Sequence, residues 1–136
     1  MERDLNLYRD ILLLIEKCGT PWDHGSLQVD RRDGFDLRGI EDDKIPPSIQ
    51  DTRPEVLTRH VQLMIQAGLL EGKFVSDEEG IPPLASIHGV THEGFEFLDN
   101  VRDESVWRKT IAVAGQSSLD VTKAVASGLM KSTVGL

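Results

Sequence analysis

Apolar residues recur at spacings of three and four along Pro54-Glu-Val-Leu-Thr-Arg-His-Val-Gln-Leu-Met-Ile-Gln-Ala-Gly-Leu-Leu-Glu-Gly72. Leu57, Val61, Met64 and Ile65 form one stripe with Val56 at its edge, which predicts a helix over Arg53 to Ala67. Pro54 suits its first turn, where a missing N–H costs nothing. Gly68 ends it, since glycine best tolerates the left-handed conformation of a C-terminal cap. Two strands are predicted next, at Gly72–Ser76 and Ala85–Val90, joined by the acidic, proline-stiffened loop from Asp77 to Pro83. Thr91 is placed to cap another helix, with Glu93 in its first turn. From that helix Phe95, Leu98 and Val101 are expected to face the core, with Phe97 partly covered. Arg53 to Leu98 therefore reads as the back half of a winged helix-turn-helix.

The flanking segments are helical as well. Leu5, Tyr8, Ile11, Leu12 and Ile15 fall on one face of a helix from Asp4 to Lys17, and Leu7, Leu13 and Leu14 widen it. Glu2, Arg9, Asp10 and Glu16 are expected mostly elsewhere. Cys18-Gly19-Thr-Pro21 ends that helix. Leu27 and Val29, then Phe35 and Leu37, alternate with polar residues around an Asp33-Gly34 turn, which fits a hairpin and a strand followed by a loop equally well. Pro47 to Thr52 leaves room for a support helix of about one or two turns at most. Asp103 can cap a helix holding Val106, Trp107, Thr110, Ile111 and Val113. After a break at Gly115–Ser118, Ser117-Ser-Leu-Asp120 has the spacing of a capping box. A last helix, Leu119 to Lys131, carries Leu119, Val121, Ala124, Val125, Leu129 and Met130. The C-terminal helices either pair with a second copy or fold back on the parent domain. The fold class is α+β, mainly α: a winged helix-turn-helix over residues 1–100 with a helical extension over 101–136 as a dimerisation device.

Size and composition narrow the classes. A chain of 136 residues fits one domain and buries a core without disulfides or metal. Its one cysteine, Cys18, excludes an intramolecular disulfide. The N-terminus is charged and lacks a signal-like apolar segment, and Ile11–Ile15 is too short to span a bilayer. A cytoplasmic protein without membrane contact is expected. The net charge is −8, with −4 on either side of Gly68, so no basic domain hides behind the average. Affinity for DNA comes largely from neutralising phosphates, and this chain would need a local patch to do that.

The chain resembles an uncharacterised family of short bacterial and phage proteins, a domain of unknown function. Three stretches carry the resemblance: Met-Glu-Arg-Asp-Leu-Asn-Leu-Tyr-Arg-Asp-Ile-Leu-Leu-Leu-Ile-Glu16, Arg59-His-Val-Gln-Leu-Met-Ile-Gln-Ala-Gly-Leu-Leu-Glu71, and Val90-Thr-His-Glu-Gly-Phe-Glu-Phe-Leu-Asp-Asn-Val-Arg-Asp-Glu-Ser-Val-Trp-Arg-Lys109. The last is the most specific. The resemblance implies a winged-helix fold in a prokaryotic or prophage setting, and no activity. The chain is longer than the family's usual pattern between Phe35 and Thr52.

The candidate chemistry is recognition of duplex DNA. Arg53, Thr58, Arg59, Gln62 and Gln66 are the polar residues expected opposite the apolar stripe, where arginine reads guanine and glutamine reads adenine. Lys73 is the one basic residue of the wing; Arg31, Arg32 and Arg38 add phosphate contacts if the fold brings them to the same face. Asp77, Glu78 and Glu79 would repel a phosphate backbone. His24, His60, His88 and His92 lack the three or four converging ligands of a zinc site, so no metal or cofactor is expected. His60, beside the stripe, reads as a partly buried histidine with a satisfied hydrogen bond. No nucleophile or base has a partner at useful spacing, and no glycine-rich loop has phosphate-binding spacing, so the chain is not read as an enzyme. Trp22 and Trp107 are packing residues, unless an exposed Trp107 anchors an interface. The expectation is a dimeric winged-helix DNA-binding protein, a prophage or bacterial transcriptional regulator. The alternative is an adaptor or inhibitor that uses the same scaffold to bind a basic protein surface, for which a charge of −8 would speed encounter.

Overall fold

The computed structural model describes residues 4–18, 27–36, 45–75, 83–114 and 119–133. In chain order the elements are α1 (Leu5–Cys18), β1 (Leu27–Asp30), β2 (Gly34–Phe35), α2 (Pro47–Gln50), α3 (Pro54–Gln66), β3 (Leu70–Phe74), β4 (Leu84–Val90), α4 (His92–Val101), α5 (Glu104–Ala114) and α6 (Leu119–Thr133). This is a mainly α member of the α+β class. The antiparallel sheet has the order β2-β1-β4-β3. Leu27 and Val29 of β1, with Ala85 and Ile87 of β4, point to the helices. Gln28 and His88 lie on the other, solvent-facing side, as alternation along a strand requires.

The caps explain where the helices begin and end. Asp4 caps α1 by accepting from the N–H groups of Asn6 (2.9 Å) and Leu7 (3.3 Å). Thr91 caps α4 through Gly94 N–H at 2.9 Å, and Asp103 caps α5 through Val106 N–H at 3.0 Å. At the end of α3, Leu69 N–H donates to the Met64 carbonyl (3.0 Å) and Gly68 N–H to that of Ile65 (3.1 Å). This Schellman closure holds Gly68 at φ +81° and turns the chain straight into β3. The strand accordingly starts at Leu70, two residues before the position expected from sequence.

α1 sits at the centre, buried on most of its surface and exposed at Asn6 and Lys17. Leu5, Leu7, Tyr8, Ile11, Leu12, Leu14 and Ile15 are all buried, in one core with Val61, Met64, Ile87, Leu98 and Trp107. Arg9 is buried too, contrary to expectation. Its Nε donates to the Val101 carbonyl (2.7 Å) and an Nη to that of Arg102 (3.0 Å), so it closes the C-terminal end of α4. The Arg9 guanidinium also lies 5.9 Å from the ring centre of Trp107, whose Nε1–H donates to Asn6 Oδ1 at 2.8 Å. Trp107 is thus a packing residue, edge-on to Phe97 at 6.3 Å.

The phase of α4 corrects the expectation for its two phenylalanines. Gly94, Phe97, Leu98 and Val101 are buried, whereas Phe95 is 43% exposed. Residues two apart on a helix cannot share a face, and Gly94 sets which one wins. A Cβ at Gly94 would sit 2.2 Å from the Leu69 carbonyl oxygen, so this position must face the α3–β3 turn.

α5 and α6 pack on each other and on α4, which is the fold-back alternative of the sequence reading. Leu119, Thr122 and Ala126 line the buried face of α6, and Val121 is left exposed, as is Val113 on α5. The Ser117 capping box, Trp22, His24, Leu37 and Arg38 lie outside the described residues. Among the described residues, no helix is long and apolar enough to cross a membrane.

Candidate nucleic-acid interface

α3 carries the candidate contact residues, and the fold sorts them into three groups. Arg53 and Gln66 are exposed and Arg59 is half-buried. Arg59 and Gln66 are seven residues apart, nearly two turns, and share a face. Arg53 precedes the helix and pairs with Glu55 at 3.7 Å.

Thr58 and Gln62 are covered, although Gln62 lies between Arg59 and Gln66 on the same side of the helix. Thr58 has no solvent exposure, and its hydroxyl donates to the Pro54 carbonyl at 2.9 Å. Gln62 is buried and its Oε1 accepts from Arg59. α3 buries Leu57, Thr58, His60, Val61, Gln62 and Met64, more than one stripe, because neighbours cover its flanks as well as its inner side.

Lys73 is separated for another reason. A bulge lies between Glu71 and Gly72, after which Gly72 pairs with Ile87 and Lys73 with Ser86. Ile87 faces the helices, so Lys73 belongs to the opposite, solvent-facing side of the sheet. Its side chain does not join the exposed face of α3.

What the fold does gather is the β1–β2 turn and the first turn of α3. A Cβ on Gly34 (φ +77°) would lie 3.6 Å from Leu57 Cδ1 and 3.8 Å from Pro54. The preceding Arg31 and Arg32 therefore sit at the α3 end where Arg53 enters. Arg31 N–H also donates to the Pro83 carbonyl at 3.3 Å, tying this turn to the residue where the β3–β4 connection enters β4. Asp30 holds the turn by accepting from the N–H groups of Arg32 (2.9 Å) and Asp33 (2.6 Å). The turn that carries Arg31 and Arg32 thus packs against the first turn of α3, which Arg53 precedes, and Asp30, Asp33 and Glu55 lie in the same segments. The turn signal Asp33-Gly34 was visible in the sequence; its seat on α3 rests on contacts 20 and more residues apart.

The histidines are spread out. His60 is fully buried and bound at both ring nitrogens, His92 pairs with Glu96 at 2.9 Å on the exposed side of α4, and His88 lies on the solvent face of the sheet. Among the described residues, no three His, Cys, Asp or Glu side chains gather as metal ligands.

Residues 2–120 match the family described as "Hypothetical protein (DUF2513)". The chain belongs to that family, whose match runs from the start of α1 into the first turn of α6. It is also similar to an "Uncharacterized protein" of Haemophilus influenzae, with 29% identity over 122 residues, covering 90% of this chain and 86% of the relative. No solved structure matches.

Proposed function

We propose that this is a winged-helix DNA-binding protein, non-enzymatic and acting as a bacterial transcriptional regulator, with α3 as its recognition helix. The element order helix-strand-helix-helix-strand-strand supports this reading, with β1 paired to β4 and β4 to β3 and the two-residue β2 added outside. The observation that carries it is the packing of the β1–β2 turn, which bears Arg31 and Arg32, against Pro54 and Leu57 in the first turn of α3, just after Arg53. The contact set it supports is Arg53, Arg59 and Gln66 with the two arginines of the β1–β2 turn. Thr58, Gln62 and Lys73 drop out. The exposed Val113 and Val121 on the C-terminal helices favour a homodimer, which would present two recognition helices to related half-sites.

The test is selection from a random-sequence duplex pool at physiological salt. An enriched motif with two half-sites is expected. Absence of retention even at low salt, where non-specific binding is strongest, would refute the reading. The second reading, an adaptor or inhibitor for a basic protein surface, is favoured by the net charge of −8 and by the exposed Phe95.

A further inference from the structure

A groove of about 380 Å³, open on one side, runs between α4 and α6. Glu93, Glu96 and Asn100 form its α4 wall, Lys123 and Ser127 its α6 wall, and Phe97 its floor. The two walls carry opposite charge, yet Lys123 makes no ion pair with any described residue. His92 engages the Glu96 carboxylate at 2.9 Å from outside the groove. A space lined by two carboxylates and an amide on one side, and by an ammonium and a hydroxyl on the other, has the complement of a small zwitterion. We infer that this groove binds a free α-amino acid, its ammonium toward Glu93 and Glu96 and its carboxylate toward Lys123 and Ser127.

The groove also abuts the end of α3. The Thr91 hydroxyl donates to the Gly68 carbonyl at 2.5 Å, and Thr91 N–H donates to that of Leu69 at 3.2 Å. A Glu93 carboxylate oxygen lies 3.4 Å from where a Gly68 Cβ would be. The first turn of α4 is thereby fastened to the turn that closes α3. A ligand held between α4 and α6 is then an input to the recognition helix; this regulatory role rests on the DNA-binding proposal, whereas binding itself does not.

The experiment is an NMR titration of the ¹⁵N-labelled full chain, without DNA, against the proteinogenic L-amino acids at millimolar concentration. At least one is expected to shift the amide signals of Glu96, Asn100, Lys123 and Ser127. Its methyl ester and its N-acetyl derivative, each missing one charge, should bind at least about tenfold more weakly. Lys123→Met and Glu96→Gln should weaken binding of the parent amino acid by a similar factor. The inference is overturned if no amino acid moves these signals, or if the ester and the acetyl derivative bind as well as the parent. The two derivatives decide the matter even where a protein variant fails to fold.

Discussion

The backbone N–H of Asp4, at the start of α1, donates to Nε2 of His60 in the middle of α3 at 2.9 Å. The other ring nitrogen, Nδ1, lies 2.8 Å from the Val56 carbonyl and donates to it. The neutral Nδ1–H tautomer alone makes both bonds; an imidazolium would bring two N–H groups face to face at Asp4. The Tyr8 ring stands edge-on at 5.8 Å, and the imidazole has no solvent exposure.

Stability should therefore depend on pH through His60. Burial holds its pKa below the ordinary 6.5, outweighing the Val56 hydrogen bond and the Asp4 charge, which act the other way. The unfolded chain then takes up the proton first as pH falls. The stabilisation is complete above 6.5 and declines below it, toward the lower folded value. Urea midpoints at about pH 7.5 and about pH 5.5 should differ more for the native chain than for His60→Phe. At the higher pH His60→Phe should itself cost about 1–3 kcal/mol, because the Asp4 N–H loses its acceptor.

Arg9→Met keeps the aliphatic stem and removes both bonds to the end of α4. With hydrogen bonds from charged groups worth about 1.5–3 kcal/mol each, a loss of at least about 2 kcal/mol is expected. Arg9→Lys should not restore it, since a single ammonium cannot reproduce the planar fork. Denaturation followed by the fluorescence of Trp107, which the guanidinium overlies, measures both.

Gly94→Ala puts a methyl group against the Leu69 carbonyl oxygen, a contact relieved only by moving backbone. A cost of about 1–3 kcal/mol is expected, despite alanine's better helix propensity. Gly128→Ala, where a Cβ meets nothing within 4 Å, is the control and should stabilise α6 slightly. Thermal unfolding of the two variants should move in opposite directions.

For DNA, Arg32→Ala and Arg53→Ala should each weaken binding about uniformly across sequences and reduce the salt slope by about 1. Lys73→Ala, on the far face of the sheet, should leave both unchanged. Equal effects from all three would mean that the helix end is not the contact surface.

Val121→Asp and Val113→Asp alter exposed valines and should leave the fold intact. If the C-terminal helices form the dimer contact, each shifts the sedimentation of the chain from dimer toward monomer. Unchanged sedimentation in both would locate any self-association elsewhere.

Much of the architecture was legible because apolar spacing and cap residues agreed. Thr91 and Asp103 mark helix starts, and Pro54 and Gly68 bracket α3 to within a residue. What could not be read was the fate of polar residues inside helical segments. Thr58, Gln62 and Arg9 are polar by type and are buried under neighbours from other elements, Arg9 meeting Val101 across 92 positions; His60, read as partly buried with a satisfied hydrogen bond, is wholly buried and meets Asp4 56 positions away. The side taken by Lys73 turns on one bulge, and a one-residue shift inverts every side chain of a strand. Arg31 and Arg32 were candidate phosphate contacts only on condition of a shared face; the seating of Gly34 on Pro54 and Leu57 supplies that condition at one end of α3.

The 92-position span between Arg9 and the carbonyl it closes also sets an order of events in the cell. α1 leaves the ribosome well before its partners in α4 and α5. At about 5–20 residues per second, on the order of 5–20 s separate the emergence of the arginine from that of its acceptor. Throughout that interval α2, α3 and β4 can meet α1, but the side that Arg9 presents to α4 stays uncovered. The α4 side of α1 is therefore the last of its contacts to close when the fold assembles.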